Sequence, residues 1–266
     1  MLLPLSAPHA TRIDFLPECP STNSELIDRA AAGAPHFSVV ATDTQTAGRG
    51  RLGRTWVAPP GRTLAASVLL RPDFPADAWG WLPLVAGLAM ARAVREVLPL
   101  EDGGLVTVKW PNDVLVRDKK ISGLLAEIVP GADAAALVVG AGLNLSIPSA
   151  ELPTDSSTSL TLEGAAEPEL LDRALAAYLR ELGSLYAALQ AYRGDAEASG
   201  IRRAVSEECA TLGRRVRVTL PSDETVMAIA LEIDAEGRLV IERDGVDGRG
   251  AREAVSAGDV THVRYE

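Results

Sequence analysis

Apolar residues recur along this chain with two distinct periods. Leu171, Leu175, Tyr178, Leu182, Leu185 and Leu189 share one face at helical spacing and predict a helix over 168–192. A second helix, rich in Ala and Leu, is expected over 79–97, closed by Pro99. Thr22-Asn23-Ser24-Glu25 reads as a capping box, so a third should run over 23–32 and stop at Gly33. Strand-like runs occupy 37–42, 64–70, 106–110, 114–117, 121–129 and 135–145, with a hairpin turn at Asp118-Lys119 between 114–117 and 121–129.

The order of these elements carries the fold class. Helices alternate irregularly with hairpin-linked strands. That pattern favours an α+β mixed sheet with helices on one side over a doubly wound parallel sheet. Past Gly213 the character changes to short strands at 215–220, 227–233, 239–243 and 260–265, punctuated by Pro221-Ser222-Asp223, Asp234-Ala235-Glu236-Gly237 and Asp244-Gly245. This predicts a small β-barrel of about fifty residues, a size that stands alone only marginally and so should dock on the larger unit. The expected division is 1–212 and 213–266.

Charge and composition remove several function classes. The 266 residues carry a formal net charge of −10, which gives no general attraction for a nucleic-acid backbone. Two cysteines and three histidines, none in metal-ligand spacing, argue against a zinc site and against a disulfide framework. No basic n-region precedes an apolar core at the start, and no apolar stretch is long enough to span a bilayer. A cytoplasmic protein is expected. Only three residues are lysines, and all of them (Lys109, Lys119 and Lys120) fall within twelve positions. A site that needs a compact ammonium rather than a planar guanidinium explains that clustering; an Arg-rich genome explains the scarcity but not the placement.

Between two strands, over 43–62, lies a loop rich in Gly and Arg. Gly48-Arg49-Gly50-Arg51-Leu52-Gly53 matches the dinucleotide pattern in letters only: Pro59-Pro60-Gly61 stand where its helix should begin. Arg49, Arg51 and Arg54 instead suit a loop that is mobile when empty and closes over a polyanion. Neither a P-loop nor a nucleophile elbow is present. Lys109-Trp110-Pro111-Asn112-Asp113 ends one strand, and Lys120-Ile121-Ser122-Gly123 begins another, where Gly123 would let a ligand approach the backbone. Strict alternation puts Lys120, Ser122, Leu124 and Ala126 on one face and Gly123 and Glu127 on the other, unless a bulge at Gly123 re-aims them. Asn144, after Gly140-Ala141-Gly142-Leu143, could offer its amide to an adenine edge.

Together these segments resemble the biotin protein ligases. The resemblance is carried by Ser21-Thr22-Asn23, by Gln45 with the loop from Gly48 to Arg54 and Trp56, by Lys109-Trp110-Pro111-Asn112-Asp113, by Lys120-Ile121-Ser122-Gly123-Leu124-Leu125-Ala126-Glu127, and by Gly140-Ala141-Gly142-Leu143-Asn144. It covers most of residues 20–145; the tail resembles the family's C-terminal SH3-like barrel more loosely. It implies a catalytic core like that of class II aminoacyl-tRNA synthetases, and two half-reactions: biotin and MgATP give biotinyl-5′-AMP, and a lysine of a biotin carboxyl carrier domain of an acyl-CoA carboxylase then takes the biotinyl group.

By matched position, the resemblance puts Ser21, Thr22, Asn23, Gln45, Gly48, Arg49, Gly123 and Lys120 on biotin, with Ser21 and Gln45 on its ureido head. Arg51, Arg54, Trp56, Lys109, Asn112, Asn144 and Arg264 fall to the adenylate. Lys120, Arg49 and Arg51 would serve the chemistry, Lys120 in both half-reactions; the Mg2+ ligands are not identified. With the catalytic helix starting by residue 23 there is no room for a winged helix, so no DNA binding is expected, and a monomer or weak homodimer. A lipoate or octanoate ligase of the same superfamily and a non-catalytic biotin sensor are the alternative readings.

Overall fold

The computed structural model describes residues 1–99, 106–130, 135–166, 168–220, 224–244, 250–256 and 259–262. Its larger sheet has seven strands: β1 (Arg12–Phe15), β2 (Ser38–Thr42), β3 (Thr63–Leu70), β4 (Val106–Lys109), β5 (Asp113–Val116), β6 (Lys119–Ile128) and β7 (Leu137–Asn144). Their order is β1-β2-β3-β7-β6-β5-β4. Only β1 and β2 pair in parallel; the other neighbours are antiparallel, and the consecutive strands β4, β5, β6 and β7 pair as hairpin connections require. The mixed α+β sheet is as the element order predicts.

Its helices are not confined to one side. Helices α2 (Trp81–Val97) and α3 (Leu170–Ala191) pack on each other and on the face carrying Val39, Leu64, Ala66, Val68, Val139 and Leu143. Helix α1 (Thr22–Ala31) covers the opposite face, where Leu26 and Ala30 meet Val40, Leu69 and Val138. Every residue of β2 and β3 is therefore buried, which is why both read as continuous apolar runs instead of alternating.

The capping box does not form. Ser21, not Thr22, is the N-cap of α1, and it makes no side-chain cap bond. The Thr22 and Asn23 side chains turn instead toward Ser67 of β3. The β5–β6 turn sits one residue earlier than expected: Arg117 and Asp118 both have positive φ, 49° and 62°, the conformation a two-residue hairpin demands. Strand β1, helix α4 (Ile201–Glu208) and one strand of the C-terminal sheet were not visible in the sequence pattern.

That second sheet has five antiparallel strands, β8 (Arg215–Thr219), β9 (Thr225–Ile233), β10 (Leu239–Arg243), β11 (Arg252–Val255) and β12 (Asp259–His262), in the order β11-β10-β9-β8-β12. Its β9–β10 turn docks on the larger unit through two indoles. Trp81 Nε1 donates to Ala235 O at 2.7 Å, and Trp110 Nε1 donates to Gly237 O at 3.1 Å. Gly80 admits the approach, since a β-carbon there would lie 2.6 Å from Glu236 O. This seam fixes the Trp110-Pro111-Asn112-Asp113 segment, which is also one wall of the site. No helix among the described residues is long and apolar enough to cross a membrane.

Candidate functional site

The α1 face of the sheet opens into a cleft between the helix N-terminus and the 48–56 loop. It holds about 860 Å3 of empty space, open mouth included. Its floor is glycine. Gly123 of β6 pairs with Gly142 of β7, and Gly140 pairs with Leu125. With no side chains to intervene, the Trp56 ring lies on this floor: a β-carbon on Gly142 would stand 2.6 Å from its Cε2, and one on Gly123 3.2 Å from its Cζ3. The buried Trp56 Nε1 has no hydrogen-bond partner among the described residues.

The loop is a small hairpin. Arg49 bridges Thr55, Trp56 N donates to Gly48 O at 2.9 Å, and Gly50 N donates to Arg54 O at 2.6 Å. Gly48 is needed where the strands cross, because a β-carbon there would meet Trp56 O at 2.6 Å and Gln45 Nε2 at 3.0 Å. Three contacts fasten the hairpin across the cleft. At one end Arg49 binds Glu127 of β6 through both guanidinium nitrogens, at 2.9 and 2.8 Å. In the middle Trp56 rests on the glycine floor. At the tip Arg51 Nη1 donates to Asn112 Oδ1 at 3.1 Å, and Asn112 Nδ2 donates in turn to Leu124 O at 2.8 Å.

Polar side chains at the α1 end form one connected set. Thr22 N donates to Gln45 Oε1 at 2.9 Å, and the Thr22 and Ser67 hydroxyls are 2.8 Å apart. Ser67 Oγ lies 2.6 Å from Asn23 Oδ1, and Asn23 Nδ2 donates to Leu125 O at 3.1 Å and Glu127 Oε2 at 2.7 Å. Thr22, Asn23 and Ser67 are buried, as a satisfied polar network can be, and Ser21 is buried beside them.

Lys120 enters the opposite end, and a β-bulge puts it there. The β5–β6 register skips Ile121: Val114 pairs with Ser122, and Leu115 with Lys120. Ile121 and Leu124 go to the core, while Lys120 joins Gly123, Leu125 and Glu127 on the cleft face. The extra residue is thus at Ile121, not Gly123, and it re-aims the lysine. The Lys120 backbone is fixed by Ser156 O at 2.7 Å and Thr158 N at 2.9 Å. Its Nζ lies 2.6 Å from Asp113 Oδ1 and 5.8 Å from the Trp56 ring centroid, within cation–π range.

Most of the residues singled out in the sequence line this one cleft: Ser21, Thr22, Asn23 and Gln45 at one end; Arg49, Arg51, Arg54 and Trp56 above; Asn112, Lys120 and Gly123 at the other end. Three do not. Gly48 backs the hairpin. Lys109 stands behind Asp113, 3.7 Å from its Oδ2. Asn144 is buried, with its Nδ2 on Thr158 O at 2.9 Å. Arg264 lies outside the described residues. Sequence reasoning gave no role to Ser67, Asp113 or Glu127. Asp113 and Glu127 left a signal, as acids within the two lysine-bearing segments that carry the resemblance; Ser67, inside an apolar strand run, left none.

Both parts of the chain are similar to known proteins. Residues 19–144 match the model of the biotin/lipoate A/B protein ligase family, and residues 211–263 that of the biotin protein ligase C-terminal domain. The biotin–[acetyl-CoA-carboxylase] ligase of Mycobacterium tuberculosis is 40% identical over 258 residues, which cover 95% of this chain and 90% of that protein. The bifunctional ligase/repressor BirA of Escherichia coli is 35% identical over 237 residues, covering 88% and 70%. Among solved structures, the biotin protein ligase of Aquifex aeolicus in complex with biotin and ATP shares the fold, with TM-score 0.75 and 24% identity over 96% of this chain and all of that one. The Leishmania major biotin protein ligase in complex with biotinyl-5-AMP aligns with TM-score 0.59 and 27% identity, covering 93% and 99%.

Proposed function

The chain belongs to the biotin protein ligases of the biotin/lipoate A/B protein ligase family, and on that footing we propose how its cleft divides the work of activating biotin and passing it to a carrier lysine. The supporting observation is the union, in one cleft, of a buried hydrogen-bonding end and a cationic end under one arginine hairpin.

Each half-reaction forms one bond at its reacting centre and breaks another. A biotin carboxylate oxygen attacks the α-phosphorus of ATP, and the bond to pyrophosphate breaks, giving biotinyl-5′-AMP. The neutral amine of a carrier lysine then attacks the acyl carbon; the bond to AMP breaks and the amine loses a proton. The first step brings two anions together in line. Lys120 supplies a compact positive charge on a fixed strand between them, lowering their repulsion and stabilising charge that develops at phosphorus. Asp113 holds that ammonium in place.

The α1 end, with Ser21, Thr22, Asn23, Gln45 and the backbone at Arg49, receives the head of biotin, whose chain runs toward Gly123 at the Lys120 end, while Gly48 supports the hairpin from behind. Gln45 has its Oε1 occupied by Thr22 N, which orients its amide. Arg51, held by Asn112, and Arg54 face the phosphate side, and Trp56 packs at the adenine end. Lys109 and Asn144 act behind this wall, through Asp113 and Thr158. The hairpin keeps water from the acyl-adenylate.

Mg2+ enters with the nucleotide. Among the described residues no three His, Cys, Asp or Glu side chains converge to cage a metal, and Mg2+ is commonly held by substrate phosphates. The acceptor is a biotin carboxyl carrier domain of an acyl-CoA carboxylase, in the cytoplasm, served by residues 1–212 as the catalytic unit and 213–266 as the C-terminal one. The net charge of −10 gives no support for DNA binding.

Biotin-dependent pyrophosphate release from ATP, followed by a mass increase on a carrier domain, tests the proposal. Release with lipoate but none with biotin would overturn it.

A further inference from the structure

We propose that Glu127 is a positioning residue: it anchors the 48–56 hairpin through Arg49 and so sets the geometry of the biotin end of the cleft. The proposal rests on the biotin reading above. It goes beyond that reading because Glu127 is assigned no part in binding or chemistry.

Exposed ion pairs usually contribute little, since two long side chains must be held against water and salt. This pair differs in three respects. Arg49 Nη1 donates to Glu127 Oε1 at 2.9 Å and Nη2 to Oε2 at 2.8 Å, the bidentate arrangement that makes guanidinium–carboxylate contacts strong and directional. The carboxylate is already fixed, because Glu127 stands on β6 and its Oε2 also accepts from the buried Asn23 amide at 2.7 Å. Arg49 is the first hairpin residue after Gly48, where a β-carbon would meet both Trp56 O and Gln45 Nε2. An Arg49 that leaves Glu127 therefore disturbs the backbone packed on Gln45.

These contacts close a ring. Gln45 is bonded to Thr22, Thr22 to Ser67, Ser67 to Asn23, Asn23 to Glu127 and Glu127 to Arg49, which is four residues along the chain from Gln45. Every side chain in it comes from a different element or loop end except Thr22 and Asn23. The hairpin tip is fastened separately, at Asn112. Glu127 accordingly governs the biotin end and leaves the phosphate end to other contacts. Arg49 is taken up in this anchor, which leaves the anion contacts of the hairpin to Arg51 and Arg54.

The test compares wild-type protein with Glu127→Gln, Arg49→Gln and the double variant. Glutamine at 127 still accepts from Asn23 but loses the ion pair. The KM for biotin in pyrophosphate release should rise about tenfold in each single variant. The double variant should be no worse than either, since both remove one contact. KM for ATP should stay within about twofold. Amide hydrogen exchange over 48–56, measured without biotin, should speed up in Glu127→Gln.

An unchanged biotin KM, losses that add in the double variant, or a fall in kcat alone would overturn the proposal. If wild-type protein releases no pyrophosphate with biotin, the biotin reading fails. The exchange measurement then decides the anchor by itself: unaltered exchange over 48–56 overturns it.

Discussion

Asp113 Oδ1 lies 2.6 Å from Lys120 Nζ, at the end of the cleft to which the proposed function assigns the biotin carboxylate and the α-phosphate. The carboxylate is well covered, its side chain 15% exposed against 36% for the lysine. Its other oxygen faces Lys109. Asp113 thus holds two ammonium groups to one wall without filling the cleft. Lys120→Ala should lower the rate of adenylate formation by about a hundredfold or more, as loss of a preorganised charge does. Its stability cost should stay below about 1 kcal/mol, because the pair is partly exposed. Asp113→Asn should cost about tenfold in the same rate by releasing the lysine. Single-turnover pyrophosphate release and thermal melts measure the two effects. Parallel losses of rate and melting temperature in Lys120→Ala would show a structural lysine instead.

The glycine floor gives a second prediction, on packing. A β-carbon at Gly140 would fall on Asn23 Oδ1 inside any allowed contact. Asn23 would have to leave Ser67 and Glu127. Gly140→Ala should therefore destabilise the fold by about 1–3 kcal/mol, the usual cost of overpacking, and weaken biotin binding as well. Gly87→Ala is the control. It lies within α2, and its β-carbon would make ordinary contact with Val108 Cγ1 at 3.5 Å. That change should be neutral or stabilise by up to about 1 kcal/mol. Urea unfolding of both variants compares them, and a stable Gly140→Ala would show that Asn23 is free to move.

These residues also mark what the sequence made legible. Motif spacing found both ends of the cleft, because the segments that build it are contiguous runs of chemistry-bearing residues. It failed at three points for physical reasons. The bulge at Ile121 reverses which face Lys120 takes, and nothing in the letters separates a bulged strand from a straight one. The capping box at Thr22 is overridden by Ser67, a tertiary partner 45 residues away. The Glu127 anchor joins residues 78 and 104 positions apart, a relationship that exists only once the sheet has set its register. Strand β1 escaped notice because Arg12-Ile13-Asp14-Phe15 is too short and too polar to stand out.

The seam between the two sheets gives a third expectation. Trp110 is 1% exposed, and its indole N–H is the partner of Gly237 O. Trp110→Phe keeps most of the apolar contact but leaves that carbonyl without its donor, a loss of about 1–3 kcal/mol. Because the same segment carries Asn112 and Asp113, the variant should also bind ATP more weakly. Calorimetric unfolding and ATP titration measure the two effects. Unchanged stability would mean that water replaces the indole at the seam.

The last prediction concerns pH and lies away from the cleft. His36 Nδ1 accepts from Arg71 N at 3.1 Å, and its ring stacks near Tyr186, with centroids 5.0 Å apart. Burial, and then the Arg71 charge, hold its pKa below the ordinary 6.5. A proton on Nδ1 would face a donor, so the folded state favours the neutral ring. Between the folded and unfolded pKa values the unfolded chain binds more protons, and stability must rise with pH across that window. The contribution is therefore complete above about 6.5 and is lost as pH falls through the lower, folded value. His36→Gln should flatten this part of the profile. Melting temperatures at about pH 8 and about pH 5.5 should differ more in the wild type than in the variant. An equal or larger acid loss in His36→Gln would assign the effect to the carboxylates instead.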